Sequence, residues 1–415
     1  MNMPSSLKYA VAASVLVTLA SCGGYGDDNY NYVYPVSTVP NSIAVADVNG
    51  DGVPDLLVAT TLDQGFVNNP GFANVILGQK TAPGTYQTGV QYPATGSDPS
   101  SIAVADLAGS GSLDLVMANF GTGSVTVFMH GATAGTFQAG VDVPTGGAPN
   151  QVAVGSLSKN GLGNPDVVVA DASASGNVIV LFHDPANPGK FLAPVMLPTN
   201  LTTSAVAIAD LNGDGYPDIV AATYDSNGNN GAVMVFYQSA TSPGTFAAPV
   251  TFPAGAQPQA VRVADVNGDA LPDLVVANLG PGTDGSGAAG VSVLLQDVAN
   301  PGKFLAPVTY TTQSGAVDVA VGALTVAGKP DLVVANLGPA PSGSVSVLLH
   351  NPASPGTFGA ATNYPGFGQP LSVAIADLNG DGHPDIAVAD GSSATVMLQS
   401  ATTPGTFAQP VQVGQ

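Results

Sequence analysis

Short apolar runs of four to six residues, rich in Val, Ile, Leu and Ala, recur between clusters of Gly, Asn, Asp and Pro. One run (43–46) is followed by an Asp-rich turn, a second run (56–59) and a Gly/Asn/Ser loop. A third run (75–77), a turn of the Pro-Gly-Thr-Phe or Pro-Gly-Lys-Phe type and a fourth extended stretch (90–92) complete the unit. Runs of this length bounded by turn residues are strands. The unit occurs seven times, its Asp-rich turn opening at Asp47, Asp106, Ser156, Asp210, Asp265, Ala323 and Asp377, about 55 residues apart. The first two runs are apolar at nearly every position, as strands packed on both faces require. Four strands per unit, seven units and no helix-length period predict an all-β chain: a seven-bladed β-propeller of four-stranded antiparallel blades. A β-solenoid is the runner-up, but its repeats are usually shorter. At the ring's end two segments compete for the last outer strand, 408–413 and 32–36.

Composition sharpens this picture. Charged residues are 8% of the 415, against about 25% in an ordinary domain. All 28 acidic residues are Asp, Trp is absent, and Arg262 is the only arginine among seven basic residues. Hydrophobic residues reach 45%, which argues against disorder. A net charge of −21 excludes nucleic-acid binding driven by counterion release.

The first residues are set apart. Lys8 precedes an apolar run, 9–19, too short to span a bilayer as a helix, which ends in Leu19-Ala20-Ser21-Cys22. This resembles the lipobox of bacterial lipoprotein signal peptides, and the alternative is an ordinary secretory signal with a chance cysteine. The resemblance implies a signal peptide over 1–21, lipid on Cys22 and a flexible tether over 22–36 ahead of the propeller at 37–415. It further implies an exported chain anchored in the cell envelope, and Gly23 leans towards the outer membrane. Cys22 is the only cysteine, so no internal disulfide forms.

Three of the turns read Asp-x-Asn-x-Asp-Gly-x-x-Asp: Asp47/Asn49/Asp51/Asp55, Asp210/Asn212/Asp214/Asp218 and Asp377/Asn379/Asp381/Asp385. Converging carboxylates repel unless a cation sits among them, and all-oxygen ligation fits Ca²⁺ better than a soft metal. The seventh residue, Val53, Tyr216 or His383, offers its carbonyl. A fourth copy keeps Asp265, Asn267, Asp269, Leu271 and Asp273 but has Ala270 where glycine is expected, which predicts a weaker site. About four Ca²⁺ sites are therefore expected. An EF-hand is excluded, since its closing Glu is absent from this chain. The second copy keeps Asp106 and Asp114 but has Ala108 and Ser110, and the third and sixth retain only Asp166 and Asp331, so these three hairpins are expected to be metal-free. The plainer reading is turn chemistry alone.

Together the Gly-Thr-Phe turns and Asp-Asn-Gly-Asp-Gly-Pro-Asp hairpins resemble the FG-GAP/VCBS repeat, the blade unit of integrin α subunits and of many bacterial surface proteins. The resemblance implies structural calcium on one face of the propeller and partner docking on the opposite face.

No catalytic signature is present. His130, His183 and His350 fall at the end of the third strand, where other copies carry Gln79, Gln238, Gln296 and Gln399, and His383 lies in an Asp loop. The longest opposite-face loops are 60–74, 223–232 and 278–290, carrying Asp63, Phe66, Tyr224, Asp225 and Asp284. The expected function is a protein-interaction or adhesion module whose partner is a protein or glycan at the cell surface. A lectin-like propeller is the alternative, followed by an envelope scaffold or a propeller enzyme.

Overall fold

The computed structural model describes residues 38–62, 69–157, 164–280, 289–325, 329–338 and 342–413. Cys22, the segment 1–36, Asp63, Phe66 and Asp284 lie outside them. The described residues form seven four-stranded sheets, each built from consecutive antiparallel strands, and contain no helix. Blade 1 comprises β1 (Thr38–Ala46), β2 (Asp55–Leu62), β3 (Pro70–Ile76) and β4 (Val90–Ser97). Blades 2 to 7 repeat it over 99–144, 149–198, 202–253, 258–310, 316–367 and 370–413.

The last blade takes its outer strand, Val411–Val413, from the chain's own C-terminal stretch, with Val396 opposite Val411 and Ala394 opposite Val413. Every blade is thus one continuous piece of chain, and no described strand crosses from the first blade into the last. The strands outrun the apolar runs. β1 begins at Thr38, and β2 and β3 reach into the expected 60–74 loop, because polar Thr60 and Thr61 are buried and paired with Phe72 and Gly71.

Second strands carry no water-facing side: those of blades 2, 3, 5, 6 and 7 are buried at every position. Seven apolar clusters follow, one at each joint between neighbouring blades. The ring closes through the same kind of cluster: Ile43, Leu56, Val58 and Ile76 of blade 1 pack with Leu378, Ala387 and Val396 of blade 7. At four joints an aromatic ring of one outer strand meets the turn phenylalanine of the next blade edge-on: Tyr92–Phe137, Phe252–Phe304, Tyr310–Phe358 and Tyr364–Phe407, at 5.2–5.7 Å. Such pairs add about 0.5–1.5 kcal/mol beyond area burial.

Near the axis, side chains of one blade accept main-chain N–H groups of the next. Ser42 Oγ takes Ile102, Ser101 Oγ takes Val152, and Gln151 Oε1 takes Val206. Blades 4 and 5 have Ala205 and Ala260 at this register, so neither offers a side-chain acceptor. At the joint between blades 5 and 6 the lone arginine substitutes, Arg262 Nη2 donating to Asp318 Oδ1 at 2.6 Å. The other oxygen of Asp318 accepts Ser372 Oγ and Val373 N from blade 7. One carboxylate therefore ties three blades.

Asp318→Ala should cost about 2–4 kcal/mol, since it leaves the N–H groups of Val319 and Val373, the Ser372 hydroxyl and a guanidinium without their acceptor. Arg262→Ala should cost less, because that side chain is about one-third exposed (32%) and its partner keeps three other donors, Val319 N, Ser372 Oγ and Val373 N. Urea unfolding of both variants checks the order.

Candidate metal-binding hairpins

The first-to-second hairpins and the third-to-fourth turns share one face of the disc. The second-to-third and fourth-to-first connections share the other. Each hairpin ends on an aspartate that opens the second strand, and in all seven blades this residue is fully buried: Asp55, Asp114, Asp166, Asp218, Asp273, Asp331 and Asp385. Its two oxygens divide the work. In blade 1, Asp55 Oδ2 accepts the N–H of Val48 in its own hairpin at 2.9 Å, and Oδ1 accepts the N–H of Gly78, just past β3, at 2.8 Å. Equivalent pairs are Leu107 and His130 on Asp114, Leu157 and His183 on Asp166, and Leu211 and Gln238 on Asp218. Asp273, Asp331 and Asp385 repeat them with Val266 and Gln296, Leu324 and His350, and Leu378 and Gln399. The ninth position is thus a structural pin in every blade. That role was missed in the sequence, although persistence of this one residue in the degenerate copies was its signal.

Upstream of the pin, the four complete hairpins fold alike. Asp47 gathers the N–H groups of Gly50, Asp51 and Gly52, Asn49 Oδ1 accepts Asp51 N, and Asp51 Oδ1 accepts Val53 N. Asp210, Asn212 and Asp214 do the same up to Tyr216 N, and Asp377, Asn379 and Asp381 up to His383 N. In the fifth blade Asp265, Asn267 and Asp269 repeat the pattern up to Leu271 N. Gly52, Gly215 and Gly382 turn with φ between 80° and 86°, and Ala270 adopts 68° despite its Cβ, which is the strain expected of that copy. Blade 2 rebuilds the turn with Ser110 and Gly111 donating to Asp106. There burial pushes the Asp106 carboxyl up, but these N–H groups outweigh it and hold it below the ordinary value.

Among the described residues no three His, Cys or Asp side chains are drawn into a ready-made metal cluster. The loop carboxylates face their own turn. The donor set is nevertheless one that a hard cation takes: carboxylate, amide and carbonyl oxygens on a preformed turn, next to a pin with one N–H on each oxygen and a second lone pair to spare. Burial, reinforced by repulsion from the two aspartates ahead of each, pushes Asp55, Asp218, Asp273 and Asp385 up to about 6 against the opposing pull of their N–H partners.

Neighbouring blades cover these hairpins. In each blade that follows a complete hairpin the turn glycine, with φ between 74° and 81°, lies on that hairpin: a Cβ on Gly135 would come 3.1 Å from that of Asn49, on Gly84 3.2 Å from that of Asn379, on Gly302 3.3 Å from that of Asn212 and on Gly356 3.0 Å from that of Asn267. Gly135 N also donates to Val48 O. The third-position amide is therefore a joint residue as well as a candidate ligand. One register differs from the sequence expectation. The counterpart of His130, Gln238 and their equivalents in blade 1 is Gly78, which bridges Tyr86, while Gln79 stands one residue further on. A Cβ at 78 would lie 2.6 Å from Val53 Cγ1, so only glycine fits.

On the opposite face, the 223–232 loop is shorter than its sequence suggested, running from Asp225 to Gly231 between Tyr224 and Ala232. Asp225 organises it by accepting Asn227 N, Asn229 N and Asn230 Nδ2. The 278–290 connection leaves its strand after Asn278 and rejoins at Gly290.

A family profile described as FG-GAP-like repeat matches residues 159–221, 210–276 and 327–413, and another described as FG-GAP repeat matches 39–73. No curated protein sequence gives a match. Solved structures of similar fold include BBS1N in complex with ARL6DN, at 12% identity and a TM-score of 0.55, covering 90% of this chain and 96% of that one. A functionally unknown protein from Desulfotomaculum acetoxidans matches at 14% identity and a TM-score of 0.52, covering 85% and 94%. A protein from Bacteroides uniformis, titled a putative 6-phosphogluconolactonase, matches at 15% and 0.57, covering 86% and 96%. At these identities the likeness is one of fold.

A pH dependence follows from the four raised carboxyls. Folded and metal-free, they hold protons more tightly than the unfolded chain does at 3.8, so their contribution is complete below that value and is lost as pH rises through about 6. In calcium-free buffer the melting temperature should fall across that window, and saturating calcium should remove the slope. Scanning calorimetry at stepped pH checks both.

Proposed function

Since the chain belongs to the FG-GAP repeat proteins and folds as one seven-bladed propeller, we propose that it is a calcium-stabilised interaction module, held at the cell envelope by lipid on Cys22. The observation that carries the calcium reading is the fourfold recurrence of one hairpin. Asp47, Asn49, Asp51, the Val53 carbonyl and Asp55 would hold the ion in blade 1. Asp210, Asn212, Asp214, Tyr216 and Asp218 do so in blade 4, Asp265, Asn267, Asp269, Leu271 and Asp273 in blade 5, and Asp377, Asn379, Asp381, His383 and Asp385 in blade 7. Calcium supplies positive charge where three aspartates crowd one turn, and it stabilises the fold by mass action because those turns exist only in the folded state.

The binding reading, rather than an enzymatic one, rests on where the rare functional groups are spent. Arg262 is committed to Asp318, and His130, His183 and His350 to buried aspartates. The hairpin face is occupied by obligations between blades. The opposite connections vary in length from blade to blade, which is where a rigid disc accommodates a partner.

Chelation should lower the melting temperature by many degrees, and Asp214→Ala should blunt that calcium response. Asp114→Ala should destabilise equally with and without calcium, because it orphans the His130 and Leu107 N–H groups. A melt unchanged by chelator would refute the metal assignment. For the remainder, the full chain should fractionate with envelopes and Cys22→Ser should not. Calcium-loaded protein should retain a specific protein or glycan from envelope extract; retention of neither by folded, loaded protein would favour a scaffold role.

A further inference from the structure

The seven pins stand in one register, but their third contact divides the blades into two groups. In blades 2, 3 and 6 the residue bridging back from the third strand is a histidine. Nδ1 of His130, His183 and His350 lies 2.8, 3.0 and 2.9 Å from Oδ1 of Asp114, Asp166 and Asp331. An ionised carboxylate only accepts, so Nδ1 carries the proton. In blades 4, 5 and 7 the residue is glutamine, and its amide turns away from the pin. Nε2 of Gln238, Gln296 and Gln399 donates to the carbonyls of Pro217, Pro272 and Pro384, while Oε1 accepts Gly244, Gly302 and Gly405 N–H. Blade 1 has Gly78 and no side chain there.

The division coincides with a second, independent one. The blades with histidine are those whose hairpins have lost the Asp-x-Asn-x-Asp series, and the blades without it keep the series whole. Blade 6 goes furthest: where complete loops carry the amide it has Thr325, whose N–H and hydroxyl also bond Asp331 Oδ2, at 3.1 and 3.3 Å.

We propose that the imidazole Nδ1–H is the chain's own substitute for a bound cation, so that blades 2, 3 and 6 are clamped without metal and calcium dependence is confined to blades 7–1 and 4–5. The calcium half rests on the metal reading above; the imidazole half does not. Where a hairpin keeps its acidic series, the pin's spare lone pairs are left open and the bridging side chain serves the proline carbonyl and the next turn. Where the series is lost, the buried carboxylate still needs a donor, and the imidazole supplies it from the third strand. Two sectors of the ring then respond to calcium, one of them spanning the joint where the first and last blades meet.

The test is hydrogen exchange on the full chain, followed by peptide, with and without chelator. Chelation should deprotect the hairpins at 47–55, 210–218, 265–273 and 377–385, while those at 106–114 and 323–331 keep their protection. His350→Gln should deprotect 323–331 in both conditions and lower the melting temperature by roughly 2–5 °C. His350→Asn, whose Nδ2–H sits where Nδ1–H did, should restore protection. Equal deprotection of all seven hairpins by chelator, or an unaltered 323–331 in His350→Gln, would overturn the proposal. No chelator effect anywhere, with the His350 variants behaving as stated, would defeat the calcium reading and leave the imidazole clamp standing.

Discussion

A single buried carboxylate, repeated in seven copies, organises each blade. Asp55 and its counterparts accept one N–H from the hairpin that precedes the second strand and one from the chain leaving the third. Charge-assisted hydrogen bonds of this kind are about twice as strong as neutral ones. They fix three strands at their common end, so the register of the whole sheet follows from one residue. A neutral acceptor would hold the same N–H groups more weakly. Burying the charge is costly unless it is paired or hydrogen-bonded, and that requirement governs what surrounds the pin: acidic turns fit for a cation in four blades, imidazoles in three.

The hairpins also belong to the joints. The third-to-fourth turns of blades 1, 2, 5 and 6 lean on the complete hairpin of the preceding blade, where the left-handed glycine brings backbone close against Asn379, Asn49, Asn212 or Asn267. Anything that orders a hairpin therefore orders the joint above it. Among the described residues no connecting loop crosses the joint between blades 7 and 1, where the Ile43–Leu378 cluster and the Gly84–Asn379 contact pack the two blades together. That joint has complete hairpins on both sides. Connections on the opposite face differ in length from blade to blade, and the joints there are held instead at the strand ends, where Ser100 Oγ donates to the Pro149 carbonyl and Asn150 Nδ2 to that of Ser204.

Much of this was legible in the sequence, because the repeat is long and its punctuation strict. Strand count, blade number and the first-position aspartates follow from local pattern, which is where sequence reasoning is strongest. What escaped it depends on contacts between elements. The pin's second partner lies 23 residues away at Gly78, and nothing local to Asp55 announces it. Gln79 looked like the partner of His130 because both follow an apolar run; the structure puts Gly78 in register, since Val53 and the Pro54 carbonyl occupy the space a side chain would need. Likewise 60–62 reads as loop from its threonines, yet pairing with β1 and β3 keeps it in the sheet.

The absence of glutamate now has a physical account. Nearly every described aspartate bonds a main-chain N–H a few residues away or across one strand. Asp184 takes Ala186 N, Asp297 takes Ala299 N, and Asp171 takes Ala148 and Ser173 N. Asp390 takes Gly368 and Gln369 N. Tight turns of this kind need a carboxylate one methylene from the backbone, and glutamate carries it one carbon too far with an extra torsion to freeze. Where the second strands are buried on both faces, as here, an aspartate at the strand end is held by the backbone N–H groups it receives. A chain of many tight turns thereby keeps one acidic residue type and discards the other.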